Sequence, residues 1–229
     1  MSDEPRPPAA VLFDLDGTLI DSEGLWLIAE RQVMAGLGAT WTPSDQQHCL
    51  GGPLERVSAY MIAKAGVPIP VSEVGDQLMT AMEALLRTGP IQWRPGAAEL
   101  VRSCQAAGIP TGLVSATYRQ LLHAVSDAVA EQTGGRGFDM SVAGDEVTDG
   151  KPHPEPYLTA ATRLGVDIRR CVVIEDSPTG VTAGHASGAL VVAVPHMVPI
   201  EPAPRLVVLD TLVGVTPRDL AMWLAAAER

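Results

Sequence analysis

The spacing of hydrophobic and polar residues indicates first a short buried strand near the N-terminus. Four apolar residues, 10–13, are followed by two acidic residues separated by a leucine, and then by a glycine and a threonine. A short apolar run that ends in turn residues predicts a β-strand, here with Asp14 and Asp16 at its C-terminal end. Gly17 predicts a sharp turn that brings both carboxylates to the same side of the strand end. Because open α/β sheets bind ligands beyond the C-terminal ends of their strands, this strand end is a candidate ligand-binding site.

The next stretch has a different period. From Ser22 to Ile91 the apolar residues recur at helical spacing, and glycine and proline residues divide the pattern into four helices with no strand between them. The predicted helices begin after Ser22, at Thr42-Pro43 with the capping pattern Ser44-x-x-Gln47, at Pro53, and at Val71. Residues 22–91 are therefore predicted to form an inserted all-helical domain.

From Trp93 onward, strand and helix patterns alternate. Strands are predicted at 112–115, 140–143, 171–174 and 189–194, and helices at 95–108, 118–132, 154–164, 181–186 and 216–227. Alternation of this kind predicts an α/β fold with a doubly wound parallel sheet. We expect one core domain made of residues 9–21 and 92–229, interrupted by the helical insert of residues 22–91.

Composition and charge limit the partners of this chain. It has 229 residues, of which 46% are hydrophobic and 19% charged, and this excludes a disordered chain. The formal net charge of -11 disfavours binding to nucleic acid and to anionic membranes, so we expect neither as a partner. An anionic substrate would need a bound cation or a few well-placed basic side chains.

The cysteines and the N-terminal segment suggest a compartment. Cys49, Cys104 and Cys171 are far apart and form no C-x-x-C pair, so they predict neither a disulfide framework nor a zinc site. The opening MSDEPRPPAA lacks the basic segment of a signal peptide, and no apolar run is long enough to span a bilayer. A cytoplasmic protein with reduced thiols is expected.

Three more sets of polar residues stand at the ends of predicted strands: Ser115-Ala116-Thr117 after 112–115, Lys151 in a G-K-P-x-P segment, and Glu175-Asp176-Ser177 after 171–174. Each alone has an ordinary structural explanation, as a helix cap or a solvated lysine. Together with Asp14 and Asp16 they supply carboxylates for a hard cation such as Mg²⁺, a nucleophile, an acid, and a hydroxyl and an ammonium to hold a phosphate. We expect Ser115 to lie at a helix start, where free backbone N–H groups bind anions.

These ordered motifs resemble those of the haloacid dehalogenase-like hydrolases. The match comprises Asp14-Leu15-Asp16-Gly17-Thr18-Leu19, Ser115, Lys151-Pro152 and Glu175-Asp176. Asp21-Ser22-Glu23 and the helical insert are similar to the branch of this family that contains β-phosphoglucomutase and phosphoglycolate phosphatase, which carries a small helical cap domain. The resemblance implies a Rossmann-like core, Mg²⁺ dependence and an aspartyl-phosphate intermediate.

The resemblance also implies a role for each matching residue. Asp14 would attack phosphorus, and Asp16 would protonate the leaving oxygen and then activate water. Ser115, Ala116 and Lys151 would hold the transferring phosphoryl group. The residues implied for Mg²⁺ are Asp14, the carbonyl of Asp16, Asp176, and Glu175 in or next to the ion's ligand shell, while Thr18 would brace the loop.

A phosphatase of small phosphorylated metabolites has three alternative functions to compete with. Dehalogenation is disfavoured, because carbon–halogen cleavage needs no acid such as Asp16. A phosphomutase must grip a second phosphate, and β-phosphoglucomutases place lysine and arginine residues around a cap loop similar to Leu50-Gly51-Gly52-Pro53-Leu54-Glu55. In this chain the corresponding positions look like Gly51 and Glu55, with only Arg56 nearby. This departure disfavours a mutase. A non-catalytic phospholigand-binding protein would be expected to have lost the nucleophile or a metal carboxylate.

Substrate recognition is expected from the helical insert, acting as a lid. Candidate pocket residues are Glu23, Trp26 and Arg56, although Trp26 is equally suited to packing and Arg56 to a solvated helix surface. A monomer or weak dimer is expected, and the identity of the substrate is left open.

Overall fold

The computed structural model describes residues 5–49, 54–89, 92–133 and 137–228, apart from the side chains of residues 128, 132 and 133. Contacts divide the chain into two compact units, Met1–Asp21 with Ile91–Arg229, and Ser22–Pro90. The predicted boundary between residues 91 and 92 falls next to Pro90 and Ile91, which lie outside the described residues, so that boundary stays a prediction. Each unit is described by itself below.

A parallel sheet forms the centre of the first unit. In the described part of the chain its strands are β1 (Ala10–Phe13), β2 (Thr111–Val114), β3 (Met140–Val142), β4 (Cys171–Glu175), β5 (Leu190–Ala193) and β6 (Leu206–Val208). Their order is β3-β2-β1-β4-β5-β6, and every neighbouring pair is parallel. The chain leaves β1 toward β2 on one side and later returns to β4 on the other. The strand order therefore reverses at the C-terminal end of β1, which is where doubly wound sheets bind ligands. The predicted fold class is confirmed.

The second unit consists of helices. These are α1 (Glu23–Gly36), α2 (Pro43–Cys49), α3 (Leu54–Ala65) and α4 (Val71–Thr88). Helices α1 and α3 both pack against α4, and fully buried side chains such as Met34, Met61 and Leu78 form their interior. The helical character predicted for this part of the chain is confirmed. The start of α3 was predicted at Pro53, which lies outside the described residues.

Five helices accompany the sheet in the described residues of the first unit: α5 (Ala97–Ala106), α6 (Arg119–Thr133), α7 (Glu155–Leu164), α8 (Pro178–Ser187) and α9 (Pro217–Ala227). Strands β1, β2, β4 and β5 are wholly buried between them. This burial explains the near-continuous apolar runs, because strands of a parallel sheet are covered on both faces. None of the helices in the described ranges combines the length and the apolarity needed to cross a bilayer.

Several predicted element boundaries were wrong. Helix α5 begins at Ala97 and not at Pro95, because Gly96 takes a φ of 83° and cannot continue the helix. Helix α8 starts at Pro178, three residues before the predicted start, with Ser177 as its N-cap. Strand β6 was not predicted, because its three residues are partly exposed and follow a proline-rich segment that shows no alternation.

The start of α2 at Pro43 agrees with one part of the predicted pattern, Thr42-Pro43. The Thr42 backbone N–H donates to Asp45 Oδ2 at 2.8 Å, and the Asp45 N–H donates to Thr42 Oγ1 at 3.4 Å. The capping box is thus formed by Thr42 and Asp45, which confirms Thr42-Pro43 as the helix start and places the box two residues before the predicted Ser44-x-x-Gln47. In α9, by contrast, Thr216 is the N-cap as predicted, and Asp219 completes its capping box.

Candidate active site

Three carboxylates meet at the C-terminal ends of the two central strands. Asp14 follows β1, while Glu175 and Asp176 stand at and after the end of β4, which pairs with β1 through Phe13 and Ile174. Carboxylate oxygens of the three acids all lie within 4.8 Å of one another. The residues are only 7%, 0% and 8% exposed. Sheet pairing therefore concentrates negative charge in a place that water scarcely reaches.

One lysine is bonded into this cluster. Lys151 Nζ lies 2.6 Å from Asp14 Oδ1, 2.7 Å from Glu175 Oε1 and 3.0 Å from the Val114 carbonyl oxygen. An ammonium has three hydrogens, so these acceptors use all of them. Burial disfavours the charged ammonium, but Asp14 and Glu175 outweigh that effect and hold the pKa of Lys151 above its ordinary value. Lys151 therefore stays charged.

The lysine does not balance the three acids. Burial, and then the nearby Glu175, raise the pKa of Asp14 well above its ordinary value despite the contact with Lys151. Burial and Glu175 likewise raise the pKa of Asp176 to about 6. A buried carboxylate with a raised pKa is one that its surroundings fail to stabilise in the charged form. Further positive charge would therefore stabilise the carboxylates of this cluster in their charged form.

The donor set fits a hard divalent cation. Mg²⁺ prefers carboxylate and carbonyl oxygens, and it is commonly held by one or two protein carboxylates together with substrate phosphate. The backbone at Gly17 lies against this site with a φ of 83°. A Cβ at Gly17 would overlap Asp176 Oδ2 and would stand 3.1 Å from His196 Nδ1. The absence of a side chain at residue 17 therefore lets the Asp176 carboxylate reach the cluster. Thr18 Oγ1 donates to Asp176 Oδ1 at 3.2 Å, which suits a bracing role.

Asp16 lies in different surroundings from Asp14. Its Oδ2 accepts a hydrogen bond from Thr117 Oγ1 at 2.8 Å and a longer one from Ser115 Oγ at 3.5 Å. The two acids, although separated by one residue, thus have different partners, an ammonium for Asp14 and hydroxyls for Asp16. Such a difference can support two distinct chemical roles.

The segment after β2 is not the helix start that was predicted. Helix α6 begins at Arg119, and the Thr117 N–H already donates to Ser115 Oγ at 2.9 Å. Ala116 is exposed in this loop. Ser115 and Ala116 thus lie in the loop between β2 and α6, and the Thr117 N–H is bonded within that loop.

Comparison with known proteins identifies the family. A model of the haloacid dehalogenase-like hydrolases matches residues 8–188, which is most of the chain. The chain belongs to the haloacid dehalogenase-like hydrolases. The resemblance carried by the four motifs is confirmed.

Individual relatives place this hydrolase among phosphatases. It is 33% identical over 223 residues to hexitol phosphatase B of Escherichia coli K12, covering 94% of this chain and 98% of that protein. It is 32% identical over 190 residues to the bifunctional riboflavin kinase/FMN phosphatase of Arabidopsis thaliana, where 82% of this chain spans only 49% of that protein. A crystal structure of CbbY from Rhodobacter sphaeroides in complex with phosphate matches with a TM-score of 0.77 and 26% identity, covering 91% of this chain and 96% of that one. These similarities support phosphomonoester hydrolysis.

Sequence reasoning missed two residues that contact the acids of this hydrolase. Tyr157, on α7, donates from its hydroxyl to Glu175 Oε1 at 2.7 Å, and its ring centroid lies 5.0 Å from Lys151 Nζ. Thr117 holds Asp16, as described above. Tyr157 reads in the sequence as one more apolar position of a helix, and no local pattern distinguishes it from the other apolar positions.

The predicted substrate-binding residues of the helical unit stay predictions. Glu23 and Trp26 lie on α1, and both are partly exposed. Arg56 lies exposed on α3, and its Nη2 is 3.4 Å from the Cys49 carbonyl oxygen. The glycines of the predicted specificity loop, at residues 51 and 52, are outside the described residues.

Proposed function

We propose that this hydrolase is a Mg²⁺-dependent phosphatase of small phosphorylated metabolites, such as sugar phosphates, and that it acts through an aspartyl-phosphate on Asp14. The observation that carries the proposal is the buried cluster of three carboxylates bonded to one ammonium at the strand-order reversal of the sheet. Similarity to hexitol phosphatase B over nearly the full length of both chains supports the substrate class.

The first step transfers the phosphoryl group to Asp14. A carboxylate oxygen of Asp14 attacks phosphorus, and the bond from phosphorus to the substrate's bridging oxygen breaks. Asp16 gives its proton to that leaving oxygen, which departs as an alcohol. The hydroxyls of Thr117 and Ser115 hold the carboxyl group of Asp16 in place for this transfer.

The second step releases phosphate. Asp16, now a carboxylate, takes a proton from a water molecule, whose oxygen attacks phosphorus and displaces the Asp14 carboxylate. Inorganic phosphate leaves, Asp14 is regenerated, and Asp16 is again protonated, so both residues return to their starting states. Lys151 stays charged throughout and offsets negative charge beside Asp14, while Ser115 offers a hydroxyl to the phosphoryl oxygens.

Mg²⁺ would be held by Asp14, Asp176, the backbone carbonyl of Asp16, and Glu175 in or next to its ligand shell. When bound, it supplies positive charge beside the transferring phosphoryl group. The raised pKa values of Asp14 and Asp176 support this, because they indicate that Lys151 alone does not balance the charge of the three acids.

The decisive experiment measures phosphate release from a panel of phosphorylated sugars, nucleotides and small acids with Mg²⁺, using wild-type protein and Asp14→Asn. We expect turnover of at least one sugar phosphate by the wild type and a loss on the order of 10³-fold or more in the variant. The exposed Asp210 provides a matched control, because Asp210→Asn makes the same change away from the site. Retained turnover in Asp14→Asn would contradict the nucleophile. Conversion of glucose 1-phosphate to glucose 6-phosphate without phosphate release would indicate a mutase instead.

A further inference from the structure

Tyr157 is a fully buried side chain with no part in the two chemical steps above. It belongs to the core cluster that the sheet forms with α7, and it is 0% exposed. Within that apolar surrounding it carries a hydroxyl, and the hydroxyl donates to Glu175 of the carboxylate cluster at 2.7 Å. We propose that Tyr157 is a positioning residue, whose hydroxyl holds Glu175 so that Lys151 remains bonded to Asp14. The kinetic part of this inference rests on the proposed phosphatase activity.

Glu175 is the residue on which Tyr157 acts, and both of its oxygens are held. Oε1 accepts hydrogen bonds from Tyr157 and from Lys151, each at 2.7 Å. Oε2 accepts from the Asp176 N–H at 3.1 Å and from Ser177 Oγ at 3.3 Å. Gly180 closes the remaining space, because a Cβ there would overlap the Glu175 carboxylate. The orientation of this carboxylate is thus set by its neighbours.

Lys151 is the residue whose position depends on that orientation. A lysine has a flexible four-carbon stem, so its ammonium settles where its acceptors place it. Tyr157 contacts it twice, through the ring 5.0 Å below Nζ and through the shared acceptor Glu175 Oε1. Without the hydroxyl, Glu175 Oε1 would depend on the ammonium alone. The ammonium would then move toward Glu175 and loosen its 2.6 Å bond to Asp14.

The hydroxyl is suited to a permanent donor role. A phenol is protonated at neutral pH, and Glu175 Oε1 is an acceptor within hydrogen-bond distance of it. The competing explanation is that the hydroxyl only satisfies a buried acceptor and contributes to stability. These two roles predict different measurements.

Tyr60 in the helical unit supplies a matched control. Its hydroxyl donates to Asp45 Oδ1 at 2.8 Å, and the same carboxylate is bonded to Lys64. Tyr60→Phe therefore removes the same group from the same kind of carboxylate–lysine pair, outside the carboxylate cluster. Tyr157→Phe keeps the ring, its packing and its contact with Lys151.

The experiment compares wild type, Tyr157→Phe and Tyr60→Phe in three measurements: Tm, the Mg²⁺ dissociation constant by calorimetry without substrate, and kcat and KM for p-nitrophenyl phosphate. For Tyr157→Phe we expect kcat to fall about 10-fold or more with KM within about 3-fold, and Mg²⁺ binding to weaken by a similar factor, as is typical for partners of metal-binding groups. For Tyr60→Phe we expect a lower Tm with kcat and Mg²⁺ affinity unchanged.

A double-mutant cycle tests the route through Glu175. If Tyr157 acts through that carboxylate, Tyr157→Phe should have little further effect on Mg²⁺ affinity in a Glu175→Gln background. Additive losses would overturn the proposal, as would a Tyr157→Phe variant that differs from wild type in Tm alone. Mg²⁺ affinity is measured without turnover, so a wild type that binds Mg²⁺ but hydrolyses nothing would refute the proposed function and leave this inference open to its own test.

Discussion

The two units of the molecule each contain a buried carboxylate next to a lysine and a tyrosine, and the comparison separates structural from functional charge. In the helical unit, Asp45 is 4% exposed and accepts from Lys64 Nζ, the Tyr60 hydroxyl and the Thr42 N–H, all at 2.8 Å. The Lys64 ammonium, followed by Thr42, holds the pKa of Asp45 well below its usual range. Asp45 is thus a single acid whose negative charge is stabilised by several hydrogen-bond donors.

The sheet unit uses the same residue types in a different ratio. There the Lys151 ammonium is bonded to two of three converging carboxylates, and burial keeps the pKa of Asp14 well above its usual range. Opposite shifts in two lysine-bonded acids show that the lysine does not decide the outcome. The balance of charge and donors around each acid does, and unbalanced, buried clusters of this kind are common at functional sites.

The largest expected effect comes from removing the lysine that is bonded to a buried acid in each unit, Lys151 in the sheet unit and Lys64 in the helical unit. Lys151→Ala should lower kcat/KM by at least about 10³-fold, because three buried acids lose their ammonium beside the proposed nucleophile. Lys64→Ala should lower Tm while leaving kcat nearly unchanged. Phosphate release and thermal unfolding of both variants check this, and an equal loss of kcat in both would remove the distinction between the clusters.

Mg²⁺ should act on the carboxylate cluster of the sheet unit and not on Asp45 of the helical unit. Excess EDTA should abolish turnover, added Mg²⁺ should restore it, and Ca²⁺ should replace it poorly because of its looser coordination. Mg²⁺ should also raise the Tm of the wild type, and this increase should vanish in Asp176→Asn but persist in Asp45→Asn. Full activity in excess chelator would contradict the proposed metal site.

A further acid of the helical unit is expected to respond to pH. Glu30 is 6% exposed, and burial raises its pKa to about 7, although Trp41 Nε1 donates to it at 2.7 Å. An acid whose pKa is raised on folding costs stability once it ionises, so its contribution improves as the pH falls from about 7 to about 4.5. Glu30→Gln should therefore raise stability at pH 8, by an amount on the order of 1–2 kcal/mol, and change little at pH 5.

Thermal unfolding at the two pH values checks this prediction. Glu73→Gln, at an exposed position of α4, is the control for loss of a negative charge. A stabilisation by Glu30→Gln that is equal at both pH values would show that ionisation of Glu30 is not its cause.

The smallest expected effect concerns the capping box of α2. Thr42→Ala removes the hydroxyl that accepts from the Asp45 N–H and donates to Asp45 Oδ2 at 2.5 Å. Loss of such a cap typically costs about 1 kcal/mol of the free energy of unfolding. Denaturant unfolding should show this loss with kcat unchanged. Ser44→Ala, at the first position of the Ser44-x-x-Gln47 pattern, should have a smaller effect.

Local patterns were enough to predict most of the elements. Strand β1 was predicted with its observed limits, and Thr216 was predicted as the N-cap of α9, because both depend on neighbouring residues and on burial alone. The errors occurred where a single backbone conformation or a competing partner decides. Gly96 delays α5 through its positive φ, and the capping box of α2 uses Asp45, which is also bonded to Lys64, in place of the Ser44-x-x-Gln47 pattern.

The chemical groups of the site could be predicted from the amino-acid sequence, namely which strands end in carboxylates, a hydroxyl or a lysine, and so could the family to which those motifs belong. Which of these groups meet depends on how the strands are arranged in the sheet. Lys151 and Asp14 are 137 residues apart in the chain, and Thr18 and Asp176 are 158 apart. Strand order and register bring such groups together, and no local pattern encodes that order. For the same reason Tyr157 could not be recognised, since an apolar helix position becomes a contact to Glu175 only when α7 packs on the sheet.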